Sequence, residues 1–331
     1  MNFKKIFIII LLFVLKFSFA QEVLPVYSDY LSDNYYLLHP SMAGAASCAK
    51  LRLTVRQQWF GQTDTPALQT VSYNTSVGDH EGVGIILFND KNGYHSQKGA
   101  KLSYAHHLMF SRDVIDLNQL SFGVNIGFSQ SQIDESDFYK TGFDPIVYGT
   151  IVQSASYFNV DLGTSYNYLN FYAHLTLKNV LGSERKLYTL YEPVDLKRFI
   201  LNTGYTFGND TKLMIEPSVM FQYVNSTKEK TFDLNLKLYK TLDFGKIWGG
   251  LSYRRSLDGA QYLNGSYVEA QKLQYITPIF GVNYNQYMFA YTFSYLTTSV
   301  NFSGGGFHQI TLGANLFCKK EKYHCNCPAV N

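Results

Sequence analysis

The sequence predicts an all-β protein, a transmembrane antiparallel β-barrel of the outer-membrane kind with about fourteen strands. Three observations predict it. Apolar and polar residues alternate with period two along nearly the whole chain. Short and long connections between the alternating runs follow each other by parity. The composition is poor in charge (16%) and rich in aromatics (27 Tyr and 25 Phe in 331 residues), where a water-facing globular protein carries roughly 25% charged residues.

The stretch "QLSFGVNIGFSQ" (119–130) states the pattern. Leu120, Phe122, Val124, Ile126 and Phe128 fall on one face of a strand, and Ser121, Gly123, Asn125, Gly127 and Ser129 on the other, because side chains alternate across a strand. The same reading applies to "LRLTVRQQW", where Leu51, Leu53 and Val55 oppose Arg52, Thr54 and Arg56, and to "FDLNLKLY", where Asp233, Asn235 and Lys237 share the polar face. Charges confined to one face suit a hydrated or plugged lumen, with the other face against lipid. The runs are mostly about ten residues long, which a tilted membrane strand requires.

Every second link is short: 78–81, 111–116, 169–170, 208–210, 241–245 and 285–286. The links between them, at 61–66, 89–99, 130–156, 180–197, 257–272 and 297–306, are longer, with 225–230 the exception. Outer-membrane barrels sort their loops this way, and a soluble sandwich has no reason to. Aromatics crowd the strand ends at Trp59–Phe60, Tyr166–Tyr168 and Tyr284–Tyr287, as interfacial girdles do. Two features oppose the pattern. Pro217 and Pro278 fall inside strands, which calls for a bulge or a strand break in a sheet without edges. His106 falls on an apolar face, which suits a position near an interface.

Residues 1–20 read as a signal peptide: Lys4 and Lys5, an apolar run from Ile6 to Leu15, then Ser18 and Ala20 before a cut at Gln21. The run is too short for a spanning helix, which needs about 20 residues. Residues 21–50 carry little periodicity and form a periplasmic or plug segment, 51–317 the transmembrane barrel, and 318–331 a cysteine-containing periplasmic tail. Both termini are expected in the periplasm and the barrel in the bacterial outer membrane, in contact with lipid. The net charge of +3, with no basic run interleaved with aromatics, gives no support to nucleic acid as a partner, and none is expected.

No catalytic, cofactor or metal motif stands out. None of the eight histidines has ligand spacing, and His106 and His107 point to opposite faces. "GVGIILFND" is a strand and not a phosphate loop, and "NDKNGYH" (89–95) reads as an Asn92–Gly93 hairpin turn, not a calcium loop. Asp161, Ser165 and His174 share a lumen face, but any lumen offers such triplets, so the protein is read as no enzyme. Four cysteines remain: Cys48 before the first strand, and Cys318, Cys325 and Cys327 in the tail. An even strand count brings both regions to one side. In an oxidising periplasm two disulfides can form, one joining Cys48 to the tail. Zinc on Cys318, His324, Cys325 and Cys327, or free or partner-linked thiols, are the alternatives.

An ordered series of segments, "HPSMAGA" (39–45), "RQQWFG" (56–61), "QTVSYNTSV", "GVGIILFNDKNGYHSQKGAKLSYAHHL" (82–108), "LSFGVNIGF", "FDP" (143–145), "EPSVMFQY" (216–223) and "FHQITLGANLF", resembles the PorP/SprF family of type IX secretion system membrane proteins from Bacteroidetes. His39 stands where the family usually has Asn before Pro40. The resemblance implies an outer-membrane component of the type IX secretion and gliding machinery. It also implies, as partners, a secreted cell-surface adhesin with a type IX sorting domain and the periplasmic secretion and gliding components. Tyr139, Phe143, Tyr148, Tyr188 and Tyr191 in the two longest loops are of the types that dominate protein contacts, so they are the candidate client-contact residues, or they pack the loops over the barrel mouth. The competing functional reading is a plugged channel for a small solute.

Overall fold

A computed structural model describes residues 29–58, 65–111, 117–136, 152–182, 187, 194–209, 212–264, 267–297 and 306–319. Three 3₁₀ turns come first, η1 (Asp29–Leu31), η2 (Tyr35–Leu37) and η3 (Pro40–Met42). The strands that follow are β1 (Ala49–Gln58), β2 (Ala67–Ser76), β3 (Glu81–Asn92), β4 (His95–Met109), β5 (Asn118–Asp134) and β6 (Val152–Tyr168). Next come β7 (Phe171–Lys178), β8 (Arg198–Tyr205), β9 (Phe207–Gly208), β10 (Met214–Val224), β11 (Lys230–Leu242) and β12 (Gly245–Ser256). A separate hairpin, β13 (Ala260–Asn264) and β14 (Tyr267–Gln271), precedes β15 (Gln274–Tyr284), β16 (Tyr287–Leu296) and β17 (Gly306–Leu316).

The sheet closes. Neighbouring strands pair antiparallel in chain order, and β17 returns to β1 in a ten-residue ladder from Ala49↔Leu316 to Gln58↔Phe307. β9 continues the line of β8, so the wall is a fourteen-stranded barrel. Closure leaves the sheet without the long edges that hydrocarbon cannot solvate. No helix among the described residues is long and apolar enough to cross a membrane.

The faces divide as the alternation predicts. Phe122, Ile126 and Phe128 of β5 are exposed on the outside, each at about half its full area, while Ser121, Asn125 and Ser129 are buried within. On β1 the outward Leu51, Leu53 and Val55 are exposed and the inward Arg52, Thr54 and Arg56 are buried. Exposed aromatics collect at the short-turn end, among them Phe110, Tyr166, Tyr168, Phe244, Tyr284 and Tyr287, as expected of an interfacial girdle. Trp59 and Phe60 lie outside the described residues.

Two expectations change in the structure, and the features that opposed the pattern find their explanation there. The link at 89–99 is no long loop: β3 and β4 run on until Asn92 pairs with His95, and Gly93 turns the chain at φ +59°, a conformation that a residue without Cβ adopts freely. The 257–272 loop contains the β13–β14 hairpin, whose strands the alternation reading passed over. Neither proline makes a bulge. Pro217 sits opposite the interruption between β8 and β9. At Pro278 the β15–β16 ladder skips from Ile276↔Tyr295 to Ile279↔Thr292 without losing register, and Thr277 Oγ1 donates to Ser294 Oγ at 3.0 Å across the gap. A missing N–H is thus absorbed on one side of the strand, while Pro278 stays paired with Leu251 on the other. His106 lies at the short-turn end of its strand, 3.7 Å from Glu81.

Candidate functional site

The lumen of this barrel is occupied by its own N-terminal segment. Residues 29–46 are buried almost throughout, and their side chains reach the wall on β1, β2, β4, β6, β7, β10 and β11. Tyr30 donates to Asp233 Oδ2 at 2.8 Å, near the long-loop end of β11. Asp33 meets Lys50 and Arg52 of β1 at 3.3 Å. Asn34 donates to Ser72 Oγ of β2 at 3.0 Å, and the Tyr36 hydroxyl pairs with Ser103 Oγ of β4 at 2.6 Å. His39 Nδ1 contacts Thr176 Oγ1 of β7 at 2.8 Å, and Ser41 Oγ contacts Ser165 Oγ of β6 at 2.6 Å. The segment thus passes from the long-loop half of the lumen at Asp29 to the short-turn rim at Cys48.

Glycines on the inner face make this approach possible. A Cβ on Gly123 would run into the backbone of Pro40 and Ser41, and one on Gly82 into Ala43. The small residues of the polar face of "QLSFGVNIGFSQ" therefore make room for a second piece of backbone. Gly44 has φ +65° and lies against Thr75 and Gly82, so the chain turns out of the lumen at a position suited to glycine alone.

The strongest anchor is Glu216. Its Oε1 accepts hydrogen bonds from Tyr35 at 3.0 Å and Tyr172 at 2.6 Å, and its Oε2 one from Tyr239 at 2.5 Å, with Lys237 Nζ 3.5 Å away. Glu216 and Lys237 are both buried, and a carboxylate out of water needs such a set of donors. Asp233 forms the second anchor: Arg254 grips it through Nε and an Nη nitrogen, both at 2.7 Å, while Tyr30 occupies Oδ2. Lys101 holds Asp161 at 2.6 Å. In the plug itself, burial holds the His39 imidazole well below its usual pKa, with His174 and Lys178 adding to the shift. Burial pushes the Asp29 carboxyl up, against the pull of Arg56 and Arg254.

Asp161, Ser165 and His174 are not joined into a hydrolytic triplet. Ser165 is bonded to Ser41, Asp161 to Lys101, Asn125 and the Asn179 N–H, and both His174 ring nitrogens lack a hydrogen-bond partner among the described residues. His174 packs against Tyr172 with ring centroids 5.1 Å apart. No group of three or more metal-ligating side chains is found among the described residues.

Cys48 and Cys318 are joined in a disulfide across 270 residues of sequence. It ties the foot of the plug to the end of β17 beside the closing seam. Cys325 and Cys327 lie outside the described residues, as do Tyr139, Phe143, Tyr148, Tyr188 and Tyr191. The sequence reading missed the carboxylate anchors and the tyrosines Tyr30, Tyr35 and Tyr36 that seat on the wall. The available signal was a tyrosine-rich stretch without periodicity, followed by a barrel with acidic residues on its inner faces.

The family model described as "Type IX secretion system membrane protein PorP/SprF" matches residues 19–314. The chain belongs to this family. Among solved structures, this PorP/SprF protein is similar to the CymD monoaromatic hydrocarbon channel, at 8% identity and TM-score 0.51, over 87% of this chain and 94% of that one. A Pseudomonas aeruginosa FadL homologue gives 9% identity and TM-score 0.50, over 86% and 94%. These likenesses concern the fold, which is that of an outer-membrane barrel. No curated protein matches the sequence. The PorP/SprF family is a secretion-system barrel family and not an enzyme class, and membership associates the chain with the secretion machinery.

Proposed function

We propose that this PorP/SprF protein assists export or surface attachment of a large cell-surface adhesin with a type IX sorting domain. Its long loops, those read at 130–156 and 180–197 foremost, face outward and engage the client through residues such as Tyr139, Phe143, Tyr148, Tyr188 and Tyr191. The short turns, the disulfide and the tail face the periplasm and its type IX and gliding components. Residues 1–20 are a leader removed on export, and the barrel performs no catalysis. The observation that carries this reading is the family match over residues 19–314. The plug supports it: a lumen crossed from wall to wall by hydrogen-bonded chain is built to be closed at rest, which leaves the loops as the working surface.

The test is a pull-down from detergent-solubilised outer membranes with an affinity tag inserted after Ser183. A giant surface protein or periplasmic secretion components, identified by mass spectrometry, are the expected companions. Recovery of the barrel alone, at native expression and after mild cross-linking, overturns the reading in favour of a solute channel.

A further inference from the structure

Among the described residues the barrel wall has one step. At the long-loop end every strand of the barrel except β6 keeps neighbours on both sides to within one residue of its tip, as in Lys178↔Arg198, Arg198↔Val224 and Phe307↔Gln58. β6 does not. Its ladder with β5 continues up to Asp134↔Val152, but its ladder with β7 stops at Leu162↔Leu177. The chain leaving β7 covers a little more of this flank, where the Val180 N–H donates to Val160 O at 2.9 Å and the Leu181 N–H to Asn159 Oδ1 at 3.2 Å. Above that, Val152–Ser156 pairs with β5 on one side and with no strand among the described residues on the other.

An open strand edge presents alternating N–H and C=O groups and templates another strand. Proteins blunt such edges with Lys, Pro, charged residues or bulges. This edge reads Val-Gln-Ser-Ala-Ser, with no charge, no Pro and no bulge in its ladder with β5. Val152, Gln153, Ser154 and Ser156 are exposed. Among the described residues it is an unguarded edge in a barrel whose other strands are paired on both sides at this end.

We propose that residues 152–156 of β6 receive an extended segment of the exported polypeptide by β-strand addition. The inference deepens the proposed function and rests on it for the origin of the added strand. Main-chain groups select an extended backbone and tolerate varied side chains, which suits a site that meets a moving or variable chain. A second copy of this protein does not fit. Strands in such barrels tilt by about 35–45°. Two copies related by an axis normal to one membrane would therefore cross their β6 edges at about 70–90°, whereas laddered strands lie within about 35° of each other.

The test uses the full chain in its own outer membrane. Adjacent N–H groups along a strand point to opposite sides, so of Ser154→Pro and Ala155→Pro one removes a donor from the open edge and the other a bond to β5. The edge variant is expected to keep the folded, heat-modifiable form on gels and to lose at least tenfold of the co-purified exported protein. Ser154→Ala and Ala155→Ser should lose none, because the backbone makes the contact. As a measurement without substitution, amide hydrogen exchange at 152–156 should slow at least tenfold in the co-purified complex relative to the barrel alone. Undiminished recovery from both proline variants, or equal exchange in both samples, overturns the inference while leaving the export reading standing. A photo-cross-linker at Gln153 that yields only a dimer of this chain also overturns it. A wild-type barrel that recovers no exported protein removes the export reading itself, and with it the origin assigned to the strand.

Discussion

One strand, β11, meets two different surroundings. On its outer side Leu234, Leu236 and Leu238 are exposed, and on its inner side Asp233, Asn235 and Lys237 are buried. The outer residues need only be apolar, because transfer into hydrocarbon is non-directional. The inner ones each have assigned partners: Arg254 and Tyr30 for Asp233, Tyr30 and Ser218 for Asn235, Glu216 for Lys237. The same alternation in sequence thus encodes a tolerant face and an exacting one. Loss of one inner partner strands the others, whereas an outer leucine is replaceable by any apolar residue.

The comparison can be broken most severely from the inside. Glu216→Leu leaves Lys237 buried without its carboxylate and three tyrosine hydroxyls without their acceptor. Breaking a buried pair costs about 3–5 kcal/mol, and the loss should show as a lower midpoint in a urea-refolding assay with lipid vesicles. The matching change outside is Ile126→Arg. At mid-membrane depth it should cost about 2–4 kcal/mol in the same assay, and a neutral result would show that this face does not meet hydrocarbon. Gly123→Val tests the plug seat alone, since its side chain would meet Pro40 and Ser41. Overpacking costs about 1–3 kcal/mol, and here proteolysis of the plug segment should accelerate while the barrel keeps its heat-modifiable migration.

The smallest effect is one of pH. His39 is neutral in its buried seat and its pKa lies below that of the released chain, so the released form binds more protons and seating strengthens as pH rises. Acidification below the free-histidine pKa of about 6.5 should weaken seating by up to about 1.4 kcal/mol per pH unit. Asp29, whose carboxyl is raised by burial, works in the opposite direction, favouring the seated form in acid. The contribution of His39 is therefore read as the difference in plug proteolysis between wild type and His39→Asn from pH 7 to pH 5. An identical pH profile in the two would remove His39 from the account.

Much of the wall was legible in the residues. Period-two alternation from Leu51 to Phe317 identifies strands, because one face of each must be apolar from end to end. The parity of links such as 169–170 and 285–286 gives antiparallel order and a common side for the turns. The boundaries were less legible where a strand outlasts the membrane. β3 and β4 extend through polar residues to Asn92 and His95, and polarity there reads as loop. The β13–β14 hairpin forms a two-stranded sheet of its own, apart from the wall, inside a link that its length alone marks as loop. Candidate client-contact aromatics could be nominated by type, but type does not give position.

By itself, then, the sequence determined a closed, lipid-facing β-barrel with a polar interior and a cysteine at each end of it. These are properties of local period and composition, which each strand carries alone. Only the tertiary structure decided that residues 29–46 thread the lumen, that Glu216 and Asp233 hold tyrosines from that segment, and that Cys48 pairs with Cys318. It alone decided that the β6–β7 ladder stops at Leu162 while β6 runs on beside β5 to Val152. These depend on which distant residues closure brings to the same height in the barrel. Register and stagger are sums over all fourteen strands, and no single segment contains them.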